Sequence, residues 1–520
     1  MRLPIQLPPG VKRAGTAYLS QGRWYEANLM RWFEGSMRPV GGWEPVNAVA
    51  ESVETPISVE GIPRGLLIWR ANDGTVYLAI ATTSHIYAYS NGVLEDITAV
   101  GTTVTPAPEN TNVYGDPTVY GSPDTYGGTP AEDTPAPSGP LIADDESLWS
   151  LDTFGQFLVG VFAPADGRLR VWELTGNMEE AAPGGESVDE APIDNRAVVV
   201  TPERFVFLLG AGGDARRIVW PDQERISGLR ADGDGESVWS PGGTAGEFTL
   251  TTSGRLLAGL RTPRETLIWT DVDLWSAIYV GSDILYSFEK RGSSCGLISP
   301  NSFAGVGDGA IWMSDSGFYS YFGSTLPVPC EVHESVFSEL NRQHKKNVVC
   351  FHNSQFGEVW WFYPALSAEN PNRYVCYNYR EKHWTLGQMD RTACTDRGGY
   401  EYPVMATFDG EVYEHEKGHD RNGLLAFATS GPLELPPGNN VFMIREIVPD
   451  NHPNTVLTCT LITSLDPLDD EVANGPFDLA YNTPVRLTAR QVRVMLHEQT
   501  SGEDWRLGLF RLELEPAGER

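Results

Sequence analysis

The residue types best able to do chemistry include two histidines, His415 and His419, which stand four positions apart with Glu416 beside the first. On a helix this spacing puts both imidazoles on one face, where they could bind zinc while the carboxylate acts as a general base. Gly418 and the turn-forming residues around it disfavour the helix that such a site needs. The sequence therefore favours a solvated turn over a metal site here.

Glycines alternate with acidic residues between Asp232 and Glu236, with Asp234 at the centre. Such a cluster could supply the hard oxygen ligands that Ca²⁺ takes in proteins. The calcium loop of an EF-hand ends in a bidentate glutamate at its twelfth position, and this segment lacks that spacing. A glycine-rich acidic turn is therefore favoured over a calcium site.

A tryptophan phrase recurs in the middle of the chain. Trp220-Pro221-Asp222 and Trp269-Thr270-Asp271 each follow an apolar run and lie 49 positions apart, and a looser copy at Trp312 follows 43 positions later. These rings could stack on sugars, but tryptophans at repeated strand ends more often pack between sheets. Packing is the favoured role, and 69 acidic residues are too many for carboxylate pairs to indicate a glycosidase.

No further motif predicts catalysis. The sequence contains no phosphate-binding P-loop and no dinucleotide-binding G-x-G-x-x-G after a strand. We therefore expect a protein that is not an enzyme and that needs no cofactor and no metal ion.

The elements that must carry these residues are predicted to be small antiparallel sheets, because the tryptophan phrase recurs at about 40 to 50 residues. Turn signals such as Asn72-Asp73-Gly74 and Ser90-Asn91-Gly92 separate short apolar runs, as in β-hairpins. A sheet this small cannot bury its own face and must stack on the next one. The expected fold is all-β, with a β-propeller of six or seven blades, and one helix is expected at 331–345.

Composition divides the chain into three regions. Residues 1–45 are predicted to be an extended docking arm, because two adjacent prolines near its start prevent a helix. Residues 46–420 carry the strand rhythm of the propeller, interrupted at 101–145 by a long loop rich in Pro, Gly and Thr. Residues 421–520 have strand signals that predict a C-terminal β-sandwich.

Charge is distributed unevenly along the chain. The 520 residues have a formal net charge of −31, yet residues 1–44 contain six basic and three acidic residues. A charge of this size repels other polyanions, and no basic stripe of the kind that grips DNA is expected outside the arm. The six cysteines show no metal-binding spacing, which favours reduced, mostly buried thiols. No signal peptide or membrane-spanning run is indicated, so a soluble protein is expected.

Several phrases carry a resemblance to a known family. Those near the start are Pro8-Pro9-Gly10-Val11, 22–32 and 38–43, those near the end are 489–494 and 504–511, and central ones are 291–296, 309–318 and 377–384. The sequence resembles the tail nozzle or hub proteins of short-tailed bacteriophages, a family that includes the packaged-DNA stabilisation protein.

The resemblance implies a structural virion protein of the phage tail, synthesised in the cytoplasm of a bacterial host. It implies a homo-oligomeric ring, expected to be a hexamer, that contacts adaptor and portal proteins and tail fibres. Double-stranded DNA would pass through this ring transiently and without sequence preference, and no membrane insertion is expected. The ring would retain the packaged genome and guide its ejection.

Two sets of residues are candidates for these roles. An acidic wall would let DNA slide, because contacts from Lys and Arg to phosphates add salt-dependent affinity. The candidate lumen or loop carboxylates are Asp232, Asp234, Glu236, Asp466, Asp469, Asp470 and Glu471. The candidate docking residues, in which Trp and Arg could anchor on a neighbouring subunit, are Arg23, Trp24, Arg31, Trp32, Arg38 and Trp43. The competing hypotheses are ordinary solvated loops for the first set and packing on the chain's own core for the second.

A receptor-binding or glycan-cleaving propeller of a phage tail is the alternative function. Propellers host glycosidases, but fold alone is a weak argument for activity. Binding or cleavage of cell-surface glycans would separate this alternative from a nozzle, which should do neither. A host-encoded propeller scaffold is a third possibility, which the terminal phrases disfavour.

Overall fold

The structure is a computed structural model that describes residues 1–50, 53–99, 105–106, 142–143, 148–163, 167–180, 191–230, 236–281, 284–435, 440–452, 457–466 and 469–519. The chain divides into two compact units. Unit 1 comprises Met1–Ser58, Thr262–Ile278 and Phe288–Arg520, and unit 2 comprises Val59–Arg261 and Tyr279–Ser287. The loop predicted at 101–145 lies outside the described residues, apart from two short strands, so its role stays a prediction.

The described chain is nearly all-β, which confirms the predicted fold class at this level. The first strands are β1 (Arg2–Ile5), β2 (Trp24–Asn28), β3 (Met30–Phe33), β4 (Ser36–Pro39), β5 (Trp43–Pro45), β6 (Asn47–Ala50) and β7 (Val53–Pro56). The next are β8 (Pro63–Arg70), β9 (Val76–Thr82), β10 (Ile86–Ser90), β11 (Val93–Asp96), β12 (Thr105–Pro106), β13 (Ile142–Ala143), β14 (Leu148–Phe154), β15 (Phe157–Ala163), β16 (Leu169–Trp172), β17 (Glu179–Glu180), β18 (Ala197–Val200), β19 (Val206–Leu209), β20 (Arg217–Trp220), β21 (Gly246–Thr249) and β22 (Leu256–Arg261).

The remaining strands follow residue 262. They begin with β23 (Thr266–Thr270), β24 (Asp273–Tyr279), β25 (Tyr286–Ser293), β26 (Phe303–Val306), β27 (Gly309–Ser314), β28 (Gly317–Tyr321), β29 (Thr325–Val328), β30 (Val349–Asn353), β31 (Glu358–Tyr363), β32 (Arg373–Asn378), β33 (His383–Gln388), β34 (Ala393–Thr395), β35 (Val404–Ala406), β36 (Val412–His415), β37 (Phe427–Ser430) and β38 (Leu433–Glu434). They end with β39 (Asn440–Val448), β40 (Asn451–His452), β41 (Leu457–Ser464), β42 (Val472–Asp478), β43 (Thr483–Ala489), β44 (Gln491–Glu498), β45 (Arg506–Leu507) and β46 (Phe510–Glu519).

Helical structure is sparse in the described part of the chain. It consists of one α-helix, α1 (His333–Glu339), and short 3-10 helices at Ala17–Ser20, Ala211–Gly213 and Arg342–Asn347. The sequence predicts one continuous helix over 331–345, and this prediction is wrong. Leu340 takes extended angles of φ −59° and ψ 125° and so ends α1, and the Asn341 side chain then caps a separate 3-10 helix.

Within the described part of unit 2, three four-stranded antiparallel sheets are meanders of consecutive strands, namely β8–β11, β14–β17 and β18–β21. The first hairpin shows how the sequence makes them. The carboxylate of Asp73 accepts hydrogen bonds from the Thr75 N–H at 2.9 Å and from its hydroxyl at 3.0 Å, and Gly74 supplies a φ of +92°. The chain therefore reverses between two apolar runs, and Leu78 and Ile80 of the central strand are buried.

The described part of unit 1 holds further sheets of the same kind. Two are meanders of β26–β29 and of β30–β33, and a third combines β34, β35 and β36 with β5 from the predicted arm. In this last ladder Glu44 lies opposite Glu414, and the ammonium of Lys417 bridges the two carboxylates at 3.1 and 2.7 Å. The bridge offsets the repulsion that two like charges in register would cause. The strands β23 and β24 pair as an antiparallel hairpin.

The strands predicted for 421–520 form two sheets on one core. One sheet has the order β1-β46-β39-β43, and the other has the order β2-β37-β44-β41-β42 with β38 beside β44. Ile444 and Leu512 from the first sheet and Leu461 and Val494 from the second belong to the same hydrophobic cluster. Two sheets that bury their inner faces against a common core make a sandwich-like layer pair.

Residues 1–45 are not a separate arm, which corrects the predicted domain boundaries. The strand β1 pairs with β46, β2 with β37, β4 with β45, and β5 with β36. Each of the two large C-terminal sheets thus takes one strand from the start of the chain. Local composition predicted the strands, but a pairing partner hundreds of residues away leaves no local pattern in the sequence.

Candidate docking segment and acidic loops

Arg31, one of the predicted docking residues, lies inside unit 1 on β3, where its side chain is 2% exposed. Its guanidinium donates hydrogen bonds to Glu358 at 2.7 and 2.8 Å and to Glu416 at 2.9 and 2.5 Å. The Phe356 ring covers one guanidinium face, with its centroid 3.7 Å from the guanidinium carbon. This arginine therefore joins three elements of its own chain and offers nothing to a neighbouring subunit.

Burial and charge act in opposite directions at this network. Burial disfavours the charged guanidinium, but the two carboxylates outweigh it and hold the pKa of Arg31 well above its usual value. Burial likewise disfavours ionisation of Glu416, and the adjacent Arg31 reverses that effect, so the pKa of Glu416 is lowered. The Gly41 N–H and the Asn353 amide also donate to Glu416, at 3.1 and 3.0 Å. Arg31 and Glu416 therefore form a buried, charged pair to which neighbouring groups also donate hydrogen bonds.

The three tryptophans among the predicted docking residues are buried as well. Trp24, Trp32 and Trp43 are 6%, 5% and 4% exposed. The rings of Trp24 and Trp32 lie 6.0 Å apart between centroids, and Trp43 stacks on His415 at 5.1 Å. The competing hypothesis, packing on the chain's own core, describes these side chains, because rings enclosed by their own subunit cannot anchor on another.

The two remaining docking candidates are partly accessible but already engaged. Arg23 donates two hydrogen bonds to Glu331, at 3.0 and 2.6 Å. The Arg38 guanidinium lies over Phe33, with 4.8 Å between its carbon and the ring centroid. Burial, and then the neighbouring positive charge of Arg31, lower the pKa of Arg38. The structure therefore assigns the predicted docking set to internal contacts.

The predicted histidine pair does not form a metal site. His415 ends β36 in the interior, and its Nε2 accepts a hydrogen bond from the Nε–H of Arg391 at 2.9 Å. Burial, and then the charge of Arg391, hold the pKa of His415 well below its usual value, so the ring is neutral. The favoured solvated turn is also wrong for this residue. Among the described residues, no group of three His, Cys, Asp or Glu side chains is placed to hold a metal ion.

The repeated tryptophans serve packing, as the favoured hypothesis predicts. Trp269 and Trp312 are fully buried and meet edge to face with 5.5 Å between ring centroids, and Trp220 is also buried. The acidic residue of the first phrase, Asp222, accepts a hydrogen bond from the Thr244 N–H at 2.7 Å and so fixes a turn. Enclosed rings cannot stack on a sugar.

Two of the acidic candidates, Asp232 and Asp234, lie outside the described residues, so their role stays a prediction. Glu236 follows them and forms an ion pair with Arg230 at 2.7 Å. The same guanidinium binds Asp222 at 2.7 Å. Arg230 therefore ties together two points of the chain that flank this acidic loop in unit 2.

The second predicted acidic loop lies in unit 1 between β41 and β42. Two arginines that are close together in the sequence each bind one end of this loop. Asp466 pairs with Arg490 at 2.9 Å, and Glu471 pairs with Arg493 at 2.9 Å. Both carboxylates are about half exposed, so each pair is a surface contact and contributes little to stability.

Asp469 and Asp470, between these two ends, are exposed and make no ion pair within the described part of the chain. Three of the five described acidic candidates thus have an arginine beside them, and these two present uncompensated negative charge. Among the described candidates the acidic-loop prediction narrows to this pair of aspartates, and for Asp232 and Asp234 it stays a prediction.

An apolar groove of about 530 Å³ opens in unit 1 beside the segment that follows β1. Its lining includes Ile5, Pro8 and Pro9 from near the start of the sequence and Leu507 and Phe510 from near its end. The prolines belong to the first phrase that carries the family resemblance. Leu507 and Phe510 belong to the last phrase, 504–511. The groove is therefore the place where the two terminal phrases meet.

Unit 2 has a smaller and more polar cleft of about 330 Å³. Its lining includes Phe154, Phe157, Glu173, Asn177, Glu179, Glu224 and Arg225. Glu224 adopts a left-handed φ of +59°, which is uncommon for a residue with a side chain and often marks a functional site. Carboxylates, an amide and an arginine around such a cleft could bind a polar ligand.

Buried acid–base contacts were not predicted from the sequence. Besides Glu358, these include Arg421 and Glu498, whose side chains are both 0% exposed and form an ion pair. The Ala426 N–H donates to the same carboxylate at 3.0 Å. The only available signal in the sequence was a single acidic residue at the edge of an apolar strand. That pattern does not indicate which arginine binds the acidic residue.

The comparisons with known proteins are limited to distant structural similarity. No family model matches the sequence, and no curated protein matches it. An exo-β-1,3-galactanase from Phanerochaete chrysosporium, crystallised with galactose, is 10% identical with a TM-score of 0.28, covering 92% of this chain and 100% of that one. The Pan2 WD40 domain from Neurospora crassa is 10% identical with a TM-score of 0.38, covering 69% and 91%. TM-scores this low carry no argument about this chain.

No helix in the part of the chain that the structure describes is both long and apolar enough to cross a membrane.

Proposed function

We propose that this chain is a structural subunit of a tail nozzle or hub of a short-tailed bacteriophage, which retains the packaged genome and guides DNA out. The observation that carries the proposal is the meeting of the two terminal phrases. The guanidinium of Arg493, in the phrase at 489–494, lies over the ring of Tyr25, in the phrase at 22–32, with 5.8 Å between its carbon and the ring centroid. Phrases from both ends of the chain therefore pack against each other in unit 1. A shared structural role explains why two such distant segments resemble one family together.

The charge of the chain supports the same function. A formal net charge of −31 makes the protein a polyanion, which repels the phosphates of DNA. A conduit needs this property, because each phosphate contact by Lys or Arg would add affinity and slow the passage of DNA. Asp469 and Asp470, exposed and unpaired within the described residues, are the best candidates for a wall that DNA passes.

The proposed architecture is a β-propeller with a sandwich-like body beside it. Six four-stranded sheets of the described chain and the hairpin of β23 and β24 would supply seven blades. The pairing of β5 with β36 supports this count, because a strand from the start of the chain completes a late sheet, as in propellers that close their ring. In this proposal the subunits form a ring, expected to be a hexamer, between adaptor and portal proteins and tail fibres.

Immunogold electron microscopy on phage particles of the source lysate tests the virion location. We expect label at the distal tip of a short tail. Label on peripheral fibres would favour receptor binding instead, and particles without any label would overturn the virion assignment. Light scattering on the purified protein gives the subunit number independently, since a monomer at working concentration contradicts a ring.

Binding of a surface glycan is the second candidate function, and the polar cleft of unit 2 favours it. Side-chain carboxylates and amides such as Glu173 and Asn177 accept and donate the hydrogen bonds that sugar hydroxyls offer. A glycan array with the wild type and with Glu224→Gln tests this candidate. Binding that the substitution abolishes would support it, whereas an array without signal, or binding unaffected by the substitution, would remove the cleft from consideration.

A further inference from the structure

We propose that β1 is exchanged between neighbouring copies of this chain, so that Arg2–Ile5 of one subunit pairs with β46 of the next. The inference rests on the proposed ring and names a contact that holds it together. Three features of residues 1–9 carry it: a short edge strand, a stiff linker without hydrogen bonds, and a charge opposite to that of the remaining chain.

The strand β1 is held by few contacts. It is four residues long and pairs on one side only, with residues 510–513 of β46. Leu3 and Ile5 are partly buried against the hydrophobic core, and Met1 and Leu514 exchange two backbone hydrogen bonds of 2.7 Å. Every one of these contacts is available in the same form from the β1 of a second copy, because exchange of an identical element leaves the chemistry unchanged.

The segment between β1 and the first anchored residue has the properties of a hinge. Gln6, Pro8 and Pro9 are exposed, and Leu7 is partly buried against the hydrophobic core of unit 1. Residues 6–9 make no hydrogen bond to the described part of the chain. The two prolines hold this linker extended at about 3.1 Å per residue. The linker therefore favours a position of β1 away from Gly10, where the chain is next fixed, over a chain that folds back on itself. Beneath it lies the apolar groove of about 530 Å³, which the linker leaves open.

The anchor begins at Gly10. It takes a φ of +83°, and a Cβ there would lie 2.6 Å from the Cβ of His383, so only glycine fits. The next residue, Val11, donates its N–H to the Trp384 carbonyl at 2.7 Å. From Gly10 on, the chain is fixed in its own subunit. Only the residues before Gly10 can pair either with their own subunit or with a neighbour.

Charge favours a second copy as that partner. Residues 1–9, which precede the anchor, contain the basic Arg2 and no acidic residue, whereas the whole chain has a net charge of −31. The Arg2 guanidinium lies 3.7 Å from Glu446 and 3.8 Å from Glu513. Two copies of so acidic a chain repel each other, and this segment is attracted to the neighbour.

An engineered disulfide reports which chain supplies β1. Arg2 and Glu513 face each other across the ladder and are both accessible, so the double variant R2C/E513C can be oxidised without disturbing the core. The variant E446C/E513C is the matched control, because Glu446 of β39 faces the same Glu513 across a ladder, and β39 and β46 are not exchanged. Light scattering first establishes that both variants have the same subunit number as the wild type.

We expect the control to give only a monomeric band on a non-reducing gel and R2C/E513C to give dimers and higher species. A monomeric band for R2C/E513C, or no crosslink while the control is oxidised, overturns the exchange and leaves the proposed ring standing. A protein that is monomeric before oxidation contradicts both the ring and the exchange.

Mixed assemblies supply the second test. One chain carries R2C and a cleavable tag that increases its mass, and a second, untagged chain carries E513C, and the two are co-expressed. Exchange predicts a disulfide-linked band at the sum of the two masses. If such heterodimers are absent although the tag pulls down the untagged chain, β1 stays in its own subunit and the proposal is wrong.

Discussion

Arg31 and Arg493 both bind carboxylates of their own chain, but they do so in opposite surroundings. Arg31 is 2% exposed and faces Glu358 and Glu416 in the core of unit 1. Arg493 binds Glu471 at the surface, where that carboxylate is 47% exposed. Ion pairs in the interior therefore join distant segments of the fold, whereas the carboxylates of the acidic loop stay accessible to solvent and to other molecules.

The largest expected effect follows from breaking the buried network. Arg31→Met leaves Glu358 and Glu416 in the interior without their cation, which should lower the free energy of unfolding by about 3 to 5 kcal/mol. Thermal unfolding followed by tryptophan fluorescence measures the loss. Arg2→Met, at a site 58% exposed, is the control and should change stability by less than about 1 kcal/mol. Equal effects at the two sites would contradict the comparison.

The second buried pair should behave alike but recover when both partners are replaced. Arg421→Met leaves Glu498, which is 0% exposed, without its cation and should lower the free energy of unfolding by about 3 to 5 kcal/mol. The loss should be slightly smaller than at Arg31, because Arg31 faces two carboxylates. Adding Glu498→Leu should restore part of the loss, because an apolar pair leaves no buried charge. A double variant as unstable as the sum of its two single variants would show that the two side chains do not act as a pair.

A smaller effect is expected from pH. Because Arg31 holds the pKa of Glu416 below the usual value of 4.5, the stability that this carboxylate contributes is complete above about pH 4.5. It is lost as the pH falls through the lowered pKa of the folded state. The free energy of unfolding should therefore decrease more steeply between pH 7 and pH 3 for the wild type than for Glu416→Gln. Parallel curves would mean that Glu416 is not the acid-sensitive group.

The smallest effect on stability is expected at the exposed loop, where the change should appear in DNA binding instead. Asp469→Lys with Asp470→Lys should leave unfolding within about 0.5 kcal/mol and raise affinity for duplex DNA, with a steeper salt dependence. Fluorescence anisotropy over a series of KCl concentrations measures both. The double variant Asp409→Lys with Glu503→Lys makes the same charge change elsewhere on unit 1. If the control raises affinity equally, net charge and not the loop is responsible.

Several features of the fold could be predicted from local sequence. Turn residues such as Asp73 and Gly74 set a hairpin within a few positions, and β18 and β20 coincide with apolar runs visible by eye. The packing role of Trp269 and Trp312 also followed from their recurrence at strand ends. These predictions succeeded because short-range hydrogen bonds and the alternation of apolar residues are properties of neighbouring positions.

The candidate site could not be predicted in the same way. A tryptophan or an arginine near the start of the chain has the same sequence signature whether it faces its own core or a neighbouring subunit. The structure encloses Arg31 and the three tryptophans of the docking set in the chain's own core. The single helix over 331–345 failed for a local reason, since Leu340 and Asn341 both adopt extended angles between α1 and the 3-10 helix that follows.

By itself the sequence determined the all-β class, the hairpin turns, the strongly acidic charge and the identity of the loops that carry it. Only the tertiary structure decided that residues 1–45 complete the C-terminal sheets, that Arg31 is enclosed by two glutamates, and that Asp469 and Asp470 alone among the described candidates lack an arginine. The physical reason is range. Turns and strand patterns are set by neighbours along the chain, whereas burial and ion pairing depend on which distant segment arrives at the same place.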